Sequence, residues 1–211
     1  MIKKNFKTLL ITSIIILLPI IAGLLLWNQL PEQIPSHWNV NGEIDGYAKK
    51  EIVVFLIPII MLTIQWLCAF TTGLDPKIDN ISQKSMNLVL WIIPCLNIAI
   101  NTIMYLTALN KPVPVNIISP ILCGIAFIII GNHLPKCKQT YTMGIKIPWT
   151  LDDEDNWNKT HRLAGKLWVV GGLLILATSF LETIFIPLGI ALLMTIIPVI
   201  YSYLLFKNSK E

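Results

Sequence analysis

The chain has 211 residues, 55% of them hydrophobic and only 13% charged. A soluble domain of this length carries about 25% charged residues, so the composition excludes a globular protein with a water-facing surface. The formal net charge of +4 reflects basic residues at the ends of apolar runs, where they anchor to the inner leaflet. No direct nucleic-acid binding is expected from it.

Crossing a hydrocarbon core of ~30 Å takes about 20 apolar residues. In chain order six runs qualify: Thr8–Leu30, Ile52–Leu74, Met86–Leu109, Val113–Leu134, Leu163–Glu182 and Ile184–Phe206. The first follows Lys3, Lys4 and Lys7 like a signal peptide. Its apolar stretch is too long for one, and no small-x-small cleavage site precedes Leu30, so an uncleaved anchor is expected. The second run holds Gln65, and the third holds Asn97, Asn101 and Tyr105 on one helix face. These intramembrane polar groups read either as hydrogen-bonding glue between helices or as the lining of a small polar cavity. Proline interrupts five of the six runs, as ordinary tolerance or as hinges. No Asp, Glu, Lys or Arg lies near the middle of a run, which disfavours ion-coupled transport.

Between the first two runs stands LPEQIPSHWNVNGEIDGYAKK. Pro31 and Pro35 stiffen it, and the Asn-Gly and Asp-Gly pairs place turns at Gly42 and Gly46. His37, Trp38 and Tyr47 give it an aromatic-polar surface, read as a recognition element or as plain interfacial anchoring. Between the fourth and fifth runs stands PKCKQTYTMGIKIPWTLDDEDNWNKTHR. Thr150 with Asp153 resembles a capping box, and Asp152, Asp153, Glu154 and Asp155 crowd the following turn, so a helix is expected to start near Leu151. Asp155 and Lys159 are spaced as i, i+4 partners. Trp157, His161, Gly165 and Trp168 share a face, read as an interfacial aromatic anchor.

With the N-terminus inside, the inner segments hold twelve lysines and arginines and the outer ones three, Lys49, Lys50 and Lys111. Lys166 sits at the inner end of the fifth run, able to snorkel. That asymmetry predicts both termini in the cytoplasm. The expected fold is an all-α polytopic membrane protein with six transmembrane helices. A membrane region 1–85 carries the outer loop 31–51, and a region 86–211 carries the inner loop 135–162. Of the four cysteines, Cys68, Cys95 and Cys123 fall in runs and Cys137 in the inner loop, with no CxxC pair, so neither disulfide nor thiolate metal site is expected. His133 and His161 with the acidic cluster are the one conceivable zinc set. HExxH, paired-ligand spacing and nucleophile motifs are all missing. No catalytic residue, metal or cofactor is therefore expected.

The two polar segments carry a family likeness. The first resembles the pattern P-x-x-I-P-x-H-W-N-x-x-G-x-x-D-G-Y of an uncharacterised bacterial membrane domain that opens many SdpI-type proteins. MGIKIPWTLDDEDNWNKTHRLAGKLWVVGG resembles the second SdpI motif, G-I-R-T-P-W-T-L…W-x-K-T-H-R-x-x-G, with Lys146 and Ile147 in place of Arg and Thr. With the six runs, the likeness spans essentially the whole chain. It implies a bacterial cell-membrane protein that protects a producing cell from a secreted toxin peptide. In the founding type it also implies a receptor that holds a small helix-turn-helix repressor at the cytoplasmic face. On this resemblance Pro35, His37, Trp38, Asn39, Gly42, Asp45, Gly46 and Tyr47 are the outer recognition residues. Gly144, Pro148, Trp149, Thr150, Trp157, Lys159, Thr160, His161, Arg162 and Gly165 are the inner motif. Two rivals stand beside it: a small-solute or peptide transporter lined by Gln65, Asn97 and Asn101, and a membrane metalloenzyme using His133 and His161.

Overall fold

The computed structural model describes residues 2–181 and 183–210, with side chains from Lys4 onward. Seven α-helices are present: α1 (Ile2–Leu25), α2 (Ile57–Gly73), α3 (Gln83–Ala108), α4 (Val115–His133), the short α5 (Pro148–Asp152), α6 (Glu154–Thr178) and α7 (Phe185–Asn208). A π-helical turn, Ile52–Leu56, runs without a break into α2, with Pro58 just past the junction. Six helices are long and apolar enough to cross a membrane: Lys4–Leu25, Ile52–Gly73, Gln83–Ala108, Val115–Lys136, Glu154–Leu181 and Phe185–Asn208. They coincide with the six runs to within a few residues at most ends. The main differences are the starts of the first and fifth, and an end of the first that stops short of Leu30; Glu182, the last residue of the fifth run, lies outside the described residues.

The helical expectation needs one addition. The polar segment after the first run is not irregular: β1 (Gln33–Trp38) and β2 (Ile44–Lys49) pair as an antiparallel hairpin. Alternating polar and apolar residues around an Asn-Gly turn favour that outcome. Gly42 takes the positive φ of 79° that the turn requires. Gly46 does not make a second turn. It lies inside β2 opposite His37 at a bulge, where an added Cβ would stand 2.8 Å from the His37 Cβ.

The chain forms two compact units. One runs from the start of the chain to Leu74 together with Met86–Val115; the other comprises Asp75–Ser85 and the chain from Asn116 onward. In the first, Leu30, Ile34 of β1, Val53 and Val54 of the π-helical turn, and Met104, Tyr105 and Ala108 of α3 form a core, with Trp27, Trp38 and Phe55 packed on it. Polar contacts join α1, α2 and α3. Gln65 Nε2 donates to Thr12 Oγ1 at 2.5 Å, Trp66 Nε1 to Ser13 Oγ at 3.1 Å, Asn97 Nδ2 to the Ile16 carbonyl at 2.8 Å, and the Tyr105 hydroxyl to the Pro19 carbonyl at 3.0 Å. Asn101 Nδ2 donates to the Asn97 carbonyl and side chain at 2.9 and 3.0 Å. Such bonds hold helices together where lipid offers no hydrophobic incentive to associate.

In the second unit, α4 and α6 approach through glycines. An added Cβ at Gly165 would meet Pro135 Cγ at 2.5 Å and the Gly131 carbonyl at 2.8 Å. Asn156 ties α6 to α7, donating to the Ser202 carbonyl at 2.9 Å and accepting from the Ser202 hydroxyl at 2.6 Å. Trp168 Nε1 donates to the Met194 carbonyl at 3.0 Å.

Candidate functional site

The hairpin is fastened at its base. Lys50, only 5% exposed, sits over the Trp27 ring and donates to Glu32 Oε1 at 2.9 Å. Its N–H bonds the Glu32 carbonyl at 3.0 Å. Ile34 and Pro35 are buried, and Trp38 packs on the helical core. At the tip, Asn39 Oδ1 accepts from the N–H groups of Asn41 and Glu43 at 2.9 and 3.0 Å, while its amide donates to Glu43 Oε2 at 2.9 Å. Of the eight residues expected to recognise a ligand, five therefore shape the hairpin: Pro35, Trp38, Asn39, Gly42 and Gly46. Three are free to meet a partner. His37 and Asp45 face each other at 2.5 Å, with side chains 71% and 44% exposed, and Tyr47 is 59% exposed. Trp38 and Tyr47 thus part company: one ring belongs to the core and the other to solvent.

The second polar segment, between α4 and α6, is built in the opposite way. Asp75, 4% exposed, follows α2 and gathers donors from a distant stretch of chain. Its carboxylate accepts from the Thr142 hydroxyl at 2.6 Å, the Thr142 N–H at 2.8 Å, the Tyr141 N–H at 3.0 Å and, across an Asx turn, the Lys77 N–H at 2.8 Å. Burial raises the Asp75 carboxyl, but these hydrogen bonds outweigh it and hold the group below its ordinary value. Gln139 continues the network. Lys77 Nζ donates to its Oε1, Asn80 Nδ2 to its carbonyl at 2.8 Å, and Gln139 Nε2 donates to the Thr150 and Leu151 carbonyls at 2.8 and 2.9 Å.

Thr150 does not cap the long helix. Pro148 opens the separate turn α5, and the Thr150 hydroxyl donates to the Ile145 carbonyl at 2.7 Å. Asp153, in extended conformation, breaks the chain there and caps α6 by accepting from the Asp155 N–H at 2.9 Å. The helix start therefore moves from Leu151 to Glu154: Pro148 commits Thr150 to the short turn α5, and Asp153, with extended backbone, is left as the N-cap. Asp155 and Lys159 form the expected ion pair at 2.7 Å.

Trp157, His161 and Gly165 do share a face, but that face is interior rather than interfacial. Trp157 is 0% exposed, donates from Nε1 to the Cys137 carbonyl at 2.8 Å and stacks on His161 at 4.0 Å between ring centroids. A carbonyl only accepts and an N–H only donates, so the partners of His161 fix its tautomer. Nδ1 carries the proton and gives it to the Trp157 carbonyl at 2.8 Å; Nε2 accepts from the Ile145 N–H at 2.9 Å. Gly144, at φ 107°, lets the chain pass over these rings, and an added Cβ would stand 2.6 Å from His161 Nε2. Thr160 donates to Asn156 Oδ1 at 3.0 Å. Trp149 packs edge-on against Tyr203 at 5.2 Å. Lys146, Lys159 and Arg162 remain exposed.

His133 is engaged apart from His161, bonding the Ser85 hydroxyl at 2.7 Å. Among the described residues no group of three or more His, Cys, Asp or Glu is placed to hold a metal ion. All four cysteines are free thiols. Asp75, Gln139, Asn156 and Lys50 escape the sequence reading. An Asp-Pro pair at a helix end is a recognisable turn signal for Asp75; for the other three no local pattern marks the partner.

Six helices able to span a bilayer, joined by a polar hairpin and a polar motif loop, define a multi-pass membrane protein. A family model described as the SdpI/YfhL protein family matches residues 136–202. A model described as a domain of unknown function (DUF1648) matches residues 14–62. The chain is 30% identical to the immunity protein SdpI of Bacillus subtilis (strain 168), an alignment that takes in 98% of this chain and 97% of that one. No solved structure matches. The chain belongs to the SdpI family.

Proposed function

We propose that this protein is a membrane immunity protein that protects its cell from a secreted toxin peptide. The observation that carries the reading is the end-to-end correspondence with an immunity protein, which takes in both the hairpin and the inner motif. On this reading both termini are cytoplasmic, as the lysine and arginine asymmetry favours. The region 1–85 presents the hairpin outward, and 86–211 presents the loop 135–162 to the cytoplasm. His37, Asp45 and Tyr47 are the side chains that meet the toxin. Lys146, Lys159 and Arg162 are the inner side chains available to a cytoplasmic partner, for which a small repressor is the candidate. The other motif residues hold these in place. The protein acts by binding, not catalysis.

The test is toxin challenge of a sensitive bacterium expressing the protein. His37→Ala and Tyr47→Ala are expected to lower protection with membrane protein levels unchanged. Full protection by both variants at normal levels would sink the outer-face assignment. The transporter rival receives little support: Gln65, Asn97 and Asn101 all donate hydrogen bonds within α1–α3.

A further inference from the structure

The hairpin lies down across the ends of the helices. Ile34, near the start of β1, belongs to the helical core, and Trp38, at the end of the same strand, packs on it. These two positions are about 13 Å apart along a strand, so β1 rests on the core over most of its length. Ala48 of β2 packs on the same core. The core beneath is made of span ends: Val53 and Val54 open the second span, and Met104, Tyr105 and Ala108 close the third. The side of the hairpin that carries Trp38 therefore faces along the spans, toward the bilayer. Ile44 stands directly opposite Trp38 and shares that side, since paired residues project to the same face. Neither Ile44 nor Val40, in the turn beyond it, joins the core; they are 37% and 57% exposed. The carboxylates beside Ile44 have partners of their own: Glu43 accepts from the Asn39 amide at 2.9 Å, and Asp45 faces His37.

We propose that Val40 and Ile44 sit in the interfacial layer of the bilayer beside the helices, so that the hairpin tip grips a lipid surface. Continuity with the lipid-facing surface of the spans argues for lipid as the partner. Leu25, the last residue of the first span, is 79% exposed, and Ile52, the first of the second, 39%. Only Lys50 and Glu51 separate Ile52 from β2. The apolar surface that the spans offer to lipid thus reaches the base of the hairpin, and the tip prolongs it sideways. Apolar side chains on one face of an otherwise polar element are what an interfacial segment presents to a membrane. The contact uses none of His37, Asp45 and Tyr47. The inference rests only on the spans crossing a bilayer, and it needs neither a toxin nor a choice of inside and outside.

The test uses the full chain in vesicles of phosphatidylethanolamine and phosphatidylglycerol, with Cys68, Cys95, Cys123 and Cys137 replaced by alanine. A nitroxide is placed on one new cysteine at a time, by Val40→Cys, Ile44→Cys, His37→Cys or Lys49→Cys. Its access to oxygen, which partitions into lipid, is compared with its access to a nickel chelate, which stays in water. The oxygen-to-nickel ratio at 40 and 44 is expected to be at least about threefold that at 37 and 49. Independently, adding Ile44→Asp should bring the label at 40 within reach of nickel and leave the label at 49 as it was. Equal ratios at the four positions overturn the proposal, as does a label at 40 that ignores Ile44→Asp. Labels at 40 and 44 closed to both reagents also overturn it, since protein rather than lipid would then cover the tip.

Discussion

The hairpin and the inner loop are both polar interruptions of a hydrophobic chain, yet they satisfy their backbone by different means. In the hairpin, strand pairs with strand, so the main-chain groups between the strands are matched without help and the side chains of His37, Asp45 and Tyr47 are left exposed. In the inner loop there is no sheet. Side chains take the place of a second strand: Asp75, Gln139, Thr150 and His161 each bond main-chain groups of the segment they hold. Three of the eight motif residues in the first region are thus exposed, while most in the second are occupied by the fold.

Trp157→Ala challenges that contrast most severely. Removing a fully buried ring together with its bond to Cys137 is expected to destabilise the protein by about 3–5 kcal/mol, read as a large drop in unfolding temperature in detergent. Little change would mean that the ring is a surface anchor after all. Asp75→Ala ranks next: it leaves several buried N–H groups without an acceptor, at about 1–3 kcal/mol for each one that stays dry. The same carboxylate makes an acid prediction. Its folded pKa is depressed, so its contribution is complete above the unfolded value of about 4 and is lost as pH falls through the folded value. Unfolding temperature should therefore decline below about pH 4 in the wild type, and that decline should be shallower in Asp75→Asn. Gly42→Ala, forced to a positive φ, is expected to cost about 1 kcal/mol and to loosen the hairpin tip. His37→Ala should have the smallest effect on stability, at most about 1 kcal/mol for an exposed ion pair, while lowering protection. A variant that loses both in proportion would erase the distinction between the regions.

Much of this arrangement was legible in the residues. The runs of aliphatic side chains locate six helices because a bilayer demands that length and little else. The Asn-Gly turn at Gly42 was legible for a related reason, since few residues tolerate its backbone. Gly46 was misread as a turn because Asp-Gly has the same local appearance within a bulged strand. The helix start at Glu154 was misplaced because Thr150 and Asp153 are both competent caps, and only the path set by Pro148 decides between them. The Asp-Pro pair signals the turn at Asp75, but the clamp it forms on Tyr141 and Thr142 carries no mark because those partners lie more than sixty positions away. Trp157 was taken for an interface residue because tryptophan serves both roles, and the Cys137 carbonyl that draws its indole inward carries no mark in the sequence.

The clasp between Glu32 and Lys50 has a practical meaning. A main-chain bond of 3.0 Å and a side-chain bond of 2.9 Å join the residues at which the hairpin begins and ends. The nineteen residues from one to the other therefore leave and return through a single doorway. A segment with coincident ends can lengthen at its tip without asking the helices on either side to move, while Ile34 and Trp38 tie its base to the core.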